Sequence, residues 1–159
     1  MTKSFEDKLK IGAVGEKIVR NILFDQGYVV YEPVRGEAHP FDKVAVKDKI
    51  NLYLVEVKTK QSTDKGCYGI NISSVNTYKY FLKEYEIPML VFFVDYNPSV
   101  LQIRYTTLRN LLTDIEVDNK IYPYTMSSST GEVNMFHMNS TKLIRELTEE
   151  ENNNIVSLL

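Results

Sequence analysis

At 159 residues the chain has the length of one ordinary domain, with enough mass to bury a core. Its hydrophobic content of 43 % and charged content of 25 % are those of a globular protein, and a net charge of −2 excludes a broad basic field for nucleic acid. Any phosphate-binding surface must be local, and a divalent cation would reverse the sign at a carboxylate site. The single cysteine, Cys67, excludes an intramolecular disulfide; it fits a reducing cytoplasm and, with no motif around it, an inert thiol. The N-terminal stretch has no apolar signal core, and Met89-Leu-Val-Phe-Phe-Val94 is too short to span a bilayer, so the expectation is a cytoplasmic, soluble protein without a membrane partner.

Ile11, Val14, Ile18, Val19, Ile22 and Leu23 recur at helical spacing, which predicts an amphipathic helix over about 5–26 with Gly27 at its stop. Tyr28 to Val34 reads as a strand limited by Pro33. After a loop at 35–40, strands are expected at about 41–47 and 51–59 around a short polar turn, then a loop over 61–71. Val75, Tyr78, Phe81, Leu82 and Tyr85 predict a second helix capped by Ser73 or Ser74. The unbroken apolar run 89–95 predicts a central strand, followed by a strand at 101–105 and a short helix at 107–112. Segments 120–126 and 132–138 suggest a hairpin, Asn139 or Ser140 the cap of a last helix to about Leu147, and Glu149–Asn154 a frayed end. The fold expected is α/β (α+β): a single domain over 1–159 with a central mixed sheet flanked by helices, a core of about 5–112 in the order αβββαβ, and an extension of about 113–159 holding the C-terminal hairpin and helix.

The two strands at 41–47 and 51–59 carry the chemistry. With an odd turn centred on Lys49, Val46 faces Leu52, Val44 faces Leu54, Asp42 faces Glu56 and Pro40 faces Lys58, all on one side of the sheet. Opposed carboxylates there lie roughly 4.5–5.5 Å apart at Cβ, where like charges repel unless a cation or shared proton joins them. A hard, oxygen-ligated ion such as Mg²⁺ meets that demand, with waters and carbonyls completing its shell. Lys58 points the same way, placed to hold a phosphate or orient an attacking water. These are the minimal parts for metal-assisted phosphodiester hydrolysis. The bland alternative is a solvated Glu-x-Lys ion pair.

At these residues the chain resembles the PD-(D/E)XK nuclease superfamily, above all its small Holliday-junction-resolvase-like and restriction-endonuclease-like branches. Gly15-Glu16 matches the acid of the first helix, Pro40-Phe41-Asp42 the aspartate motif, and Glu56-Val57-Lys58 the closing tripeptide, over about residues 11–95. The resemblance implies a restriction-endonuclease-like core and an endonuclease dependent on Mg²⁺ (or Mn²⁺) that acts on double-stranded or branched DNA. It implies Asp42 and Glu56 as metal ligands, Glu16 supporting the metal, and Lys58 assisting the water. Cleaving both strands of a duplex further suggests a homodimer. The competing class is a non-catalytic module that binds nucleic acid or protein on the same scaffold.

Lys60, Gln61, Tyr78 and Lys79 are candidates for nucleic-acid contact, although Tyr78 also fits the core stripe of its helix. Arg35, Lys43, Lys47, Lys65, Arg104 and Arg109 are candidates for a basic rim. His39 and His137 are more economically read as structural. The 11 tyrosines include rings suited to stacking on unpaired bases, but most are expected at the core boundary.

Overall fold

The computed structural model describes residues 4–34, 39–48 and 50–159; the turn residue Lys49 and the rim candidate Arg35 lie outside them. Helix α1 (Phe5–Asp25) begins at Ser4, whose hydroxyl accepts the Asp7 N–H at 3.1 Å. It stops before Gly27, where φ is +85°, a conformation that glycine adopts without strain. The predicted stripe is buried. At Gly15 a Cβ would stand 1.8 Å from Thr59 Oγ1, so the helix rests on the sheet only because that position has no side chain.

The main sheet has six strands: β1 (Val29–Tyr31), β2 (Lys43–Lys47), β3 (Asn51–Lys60), β5 (Met89–Asp95), β6 (Gln102–Thr107) and β11 (Lys142–Glu146), in the order β1-β2-β3-β5-β6-β11. β3 and β5 run parallel and the other neighbours antiparallel, a mixed sheet as expected. β2 pairs β3 in the predicted register, Val44 with Leu54 and Val46 with Leu52. All seven residues of β5 are buried. Leu90, Phe92 and Val94 pack toward α1 and α4 (Glu149–Val156); Met89, Val91 and Phe93 pack toward α2 (Ile72–Tyr85) and α3 (Leu108–Leu111). A strand covered on both faces has no polar side to show, hence the unbroken apolar run.

Several boundaries differ from expectation. The loop expected at 61–71 contains β4 (Cys67–Asn71), the edge of a second sheet ordered β4-β10-β9 with β10 (Gly131–His137) and β9 (Tyr124–Ser128). β4 pairs with a strand some sixty residues on, so no local pattern announces it. The expected hairpin forms between β9 and β10, but 120–122 belongs to β8 (Lys120–Tyr122), paired with β7 (Ile115–Val117). α2 is capped at Asn71, not at Ser73 or Ser74, because β4 runs directly into the helix.

The C-terminal segment departs furthest. In place of a helix to Leu147, Met138–Ser140 makes one 3₁₀ turn and Lys142–Glu146 becomes β11, which covers the edge of β6. The tract expected to fray is α4, held by a capping box in which Thr148 and Glu151 satisfy each other's backbone N–H groups. Ile155 is fully buried in the α1 core.

Candidate functional site

Asp42 lies one residue before β2. Its N–H donates to Val55 O at 3.0 Å, and its Oδ2 accepts the Val57 N–H at 2.7 Å, which ties it across to β3 beside Glu56. Glu56 is buried, although it is a carboxylate. Its Oε1 accepts both Lys58 Nζ at 2.5 Å and the Tyr78 hydroxyl at 2.6 Å. Asp42 Oδ1 and Glu56 Oε2 accept no hydrogen bond from the described residues, so each acid presents one uncommitted oxygen.

The electrostatics follow from burial. Desolvation and the Glu56 charge push the Asp42 carboxyl up to about 6, against the opposing pull of the Val57 N–H and of Lys58. Burial disfavours charge on Lys58, but Glu56 outweighs it and holds the ammonium above its ordinary range. Burial and then Glu56 push the Tyr78 hydroxyl up, so it stays a proton donor to that carboxylate. The Lys58 ammonium also sits 5.8 Å from the Tyr78 ring centre. Tyr78, a candidate for nucleic-acid contact, is instead 3 % exposed, with its hydroxyl turned inward onto Glu56. The correction is physical: a buried phenol needs an acceptor, and the core stripe of α2 aims it at this one.

Glu16 approaches from α1, on the other face of the sheet. Burial, then the Asp42 charge, raises its pKa. Its Oε2 is 3.4 Å from Lys43 Nζ, which also lies 2.9 Å from Glu32 Oε1. Lys43, a candidate for the basic rim, is therefore an internal cation; strand alternation turns it from Asp42 toward α1. Glu16, Glu32, Asp42, His39, Lys17 and Arg20 line a groove of about 910 Å³ beside the site.

The other candidates scatter. Lys60 donates to the Gly69 carbonyl, and burial together with Lys58 lowers its pKa to about 8. Gln61 and Lys79 are exposed, and Lys79 lines a separate opening with Lys83 and Arg109. Arg104 donates to Thr141 and Gln102, Lys47 lies over Tyr28, and Lys65 is exposed. His39 contacts the Val34 carbonyl; His137 is buried, its Nδ1 accepting the Asn139 N–H. Cys67 is buried. Among the described residues, the cations named for the rim do not gather at one place.

A hard divalent cation fits Asp42 and Glu56: both are carboxylates, Asp42 is raised in pKa by burial and then by the Glu56 charge, and each keeps an oxygen that accepts no hydrogen bond from the described residues. Among the described residues no group of three His, Cys, Asp or Glu side chains lies close enough to hold one ion, so Glu16 is not gathered with the other two. The protein would supply two carboxylates, and water or substrate the rest. Two residues of this site were not legible as such, Lys43 and the hydroxyl of Tyr78. For Lys43 the signal was strand alternation, which places it inward beside Ala45 and so demands an acid opposite.

The mixed sheet with helices on both faces has a restriction-endonuclease-like fold. Among solved structures, Hjc of Archaeoglobus fulgidus, a Holliday junction resolvase from an archaeal hyperthermophile, superposes with a TM-score of 0.54 at 13 % sequence identity, covering 81 % of this chain and 90 % of that one. No family model matches the sequence, and no curated protein matches it. No helix among the described residues is long and apolar enough to cross a membrane.

Proposed function

We propose that this chain is a metal-dependent endonuclease that hydrolyses phosphodiester bonds in DNA, using Mg²⁺ with Mn²⁺ as a substitute. The observation that carries this reading is the closeness of Asp42, Glu56 and Lys58 where β2 and β3 meet, two acids and an ammonium beside carboxylate oxygens that accept no hydrogen bond from the described residues. The likeness in fold to a Holliday junction resolvase adds to it and favours a branched duplex over a linear one. When bound, the ion supplies Lewis-acid stabilisation of the phosphate and a water of lowered pKa. Asp42 and Glu56 hold it, Tyr78 fixes the Glu56 carboxylate, and Lys58 holds a phosphate oxygen or orients the water. Glu16 supports the site from α1. Cutting two strands calls for two such sites, hence a homodimer.

The test is incubation with branched, linear and single-stranded DNA, and with RNA, in Mg²⁺ or Mn²⁺. Branched DNA should be cut, and Lys58→Ala or Asp42→Ala should slow cleavage by roughly a hundredfold or more. Variants that cut as fast as the parent would sink the mechanism. Light scattering that finds a monomer on its DNA would remove the dimer.

One observation favours a second reading, a non-catalytic nucleic-acid- or protein-binding module: Glu56 Oε1 is already satisfied by Lys58 and Tyr78. Calorimetric titration separates the two. The nuclease binds Mg²⁺ and loses it in Glu56→Ala; the module takes up none.

A further inference from the structure

Lys43 is 1 % exposed at the side chain, and a desolvated ammonium must be matched by acceptors. It draws in Glu32 at 2.9 Å and Glu16 at 3.4 Å. Arg20 reaches Glu32 as well, at 3.9 Å. At this end of the sheet, then, Glu16 and Glu32 are balanced by Lys43 and Arg20. Among the described residues, Asp42 and Glu56 are set against Lys58, which donates to Glu56. Sites that work with two ions place them about 3.5–4 Å apart and need carboxylates for both. Here Glu16, the acid that feels the Asp42 charge from the α1 side, is already bound to a cation that cannot leave the chain.

We propose that Lys43 stands in place of a second divalent ion, so that the site takes one ion on Asp42 and Glu56 and keeps Glu16 out of its coordination shell. This rests on the metal-dependent reading of that site. The ammonium supplies a fixed positive charge in the fold, where a two-ion site would recruit one from solution. Glu16 is then a positioning residue: it pairs with Lys43 on the α1 side and acts on Asp42 through its field, not through the ion.

The experiment counts Mn²⁺ by electron paramagnetic resonance on the full chain without DNA, with folding followed by circular dichroism. The parent chain should bind one Mn²⁺, and Asp42→Asn none. Glu16→Gln should still bind one, no more than about tenfold more weakly. Lys43→Met should bind two, because Glu16 loses its cation. Two ions on the parent, loss of binding in Glu16→Gln, or a folded Lys43→Met that still takes one would each overturn the proposal while leaving a metal-dependent enzyme standing. No Mn²⁺ on the parent removes the metal-dependent reading itself. Should Lys43→Met fail to fold, the parent count and Glu16→Gln decide the matter.

Discussion

Asp42 carries a conflict that its metal would resolve. Its pKa in the folded chain, about 6, lies above the value of about 3.9 expected when unfolded, so the fold favours the protonated acid. By linkage, stability from this group is present at low pH and is lost as pH rises from about 4 through 6. Asp42→Asn, which keeps an acceptor for the Val57 N–H, should raise the melting temperature of the metal-free protein above pH 6, by on the order of 2 kcal/mol in stability. The gain should vanish near pH 4, and the variant should bind no Mg²⁺. Calorimetric melts at the two pH values check this; an unchanged midpoint at high pH would mean that Asp42 is not strained. Tyr78→Phe keeps the buried ring and removes the donor to Glu56. It should lower kcat roughly tenfold or more with KM little changed, and steady-state kinetics beside an unaltered melting curve will show it. Asp42, Glu56 and Lys58 drew attention because an odd turn and a period of two predict them together, and the β2–β3 register over Lys43–Lys47 is the one that turn requires. Tyr78 and Lys43 were not, since their roles depend on which carboxylate another element brings opposite.

Among the elements, α1 comes against β3 with no room to spare where Gly15 lies over Thr59. Gly15→Ala would drive a methyl into Thr59, which sits on a strand and cannot retreat. The helix must lift, and Glu16 with it. The expected cost is about 1–3 kcal/mol, or a drop of roughly 2–4 °C per kcal/mol in a chain of this size, read from a thermal melt. A melt equal to the parent's would show that the contact is loose. The elements that sequence reading placed well, α1, the β2–β3 pair and β5, each carry a strong local period or a run of fixed length. β4 and β11 carry neither. Leu143, Ile144 and Leu147 match a helical spacing, yet the open edge of β6 claims the segment as a strand. For α4 the signal was present in Thr148-x-x-Glu151, but three asparagines and three glutamates concealed it among features of a loose end.

For the whole molecule, the consequence is that the last forty residues are not an appendage. β11 completes the main sheet and Ile155 enters the same core as Ile18, Val57 and Leu90. Ile155→Ala should therefore cost about 2–5 kcal/mol, as for a deletion in any well-packed core, and it should do so although the residue is only five from the end of the chain. A denaturant titration measures it; a loss below about 0.5 kcal/mol, the range of surface changes, would place Ile155 outside the cooperative unit. The two faces of β5 explain how one sheet can carry a core on each side while the end of β3 stays polar. Apolar pairs fill the middle of the sheet, and the charged groups fall toward the end of β3, where Tyr78 of α2 covers Glu56 and Glu16 of α1 meets Lys43.

By itself the sequence determined the periodicities: one long helix stopped at Gly27, a central strand apolar on both faces, and a pair of strands whose register sets Val44 opposite Leu54 and Val46 opposite Leu52. Those are local properties, set by sterics and side-chain order within ten or twenty residues. Tertiary structure alone decided that 67–71 pairs with 131–137, that 142–146 is a strand, and that Lys43 closes on Glu16 and Glu32. Such pairings are chosen by what lies across a gap in space, through open sheet edges and unmatched buried charge, and that choice is not written in any short window of the chain.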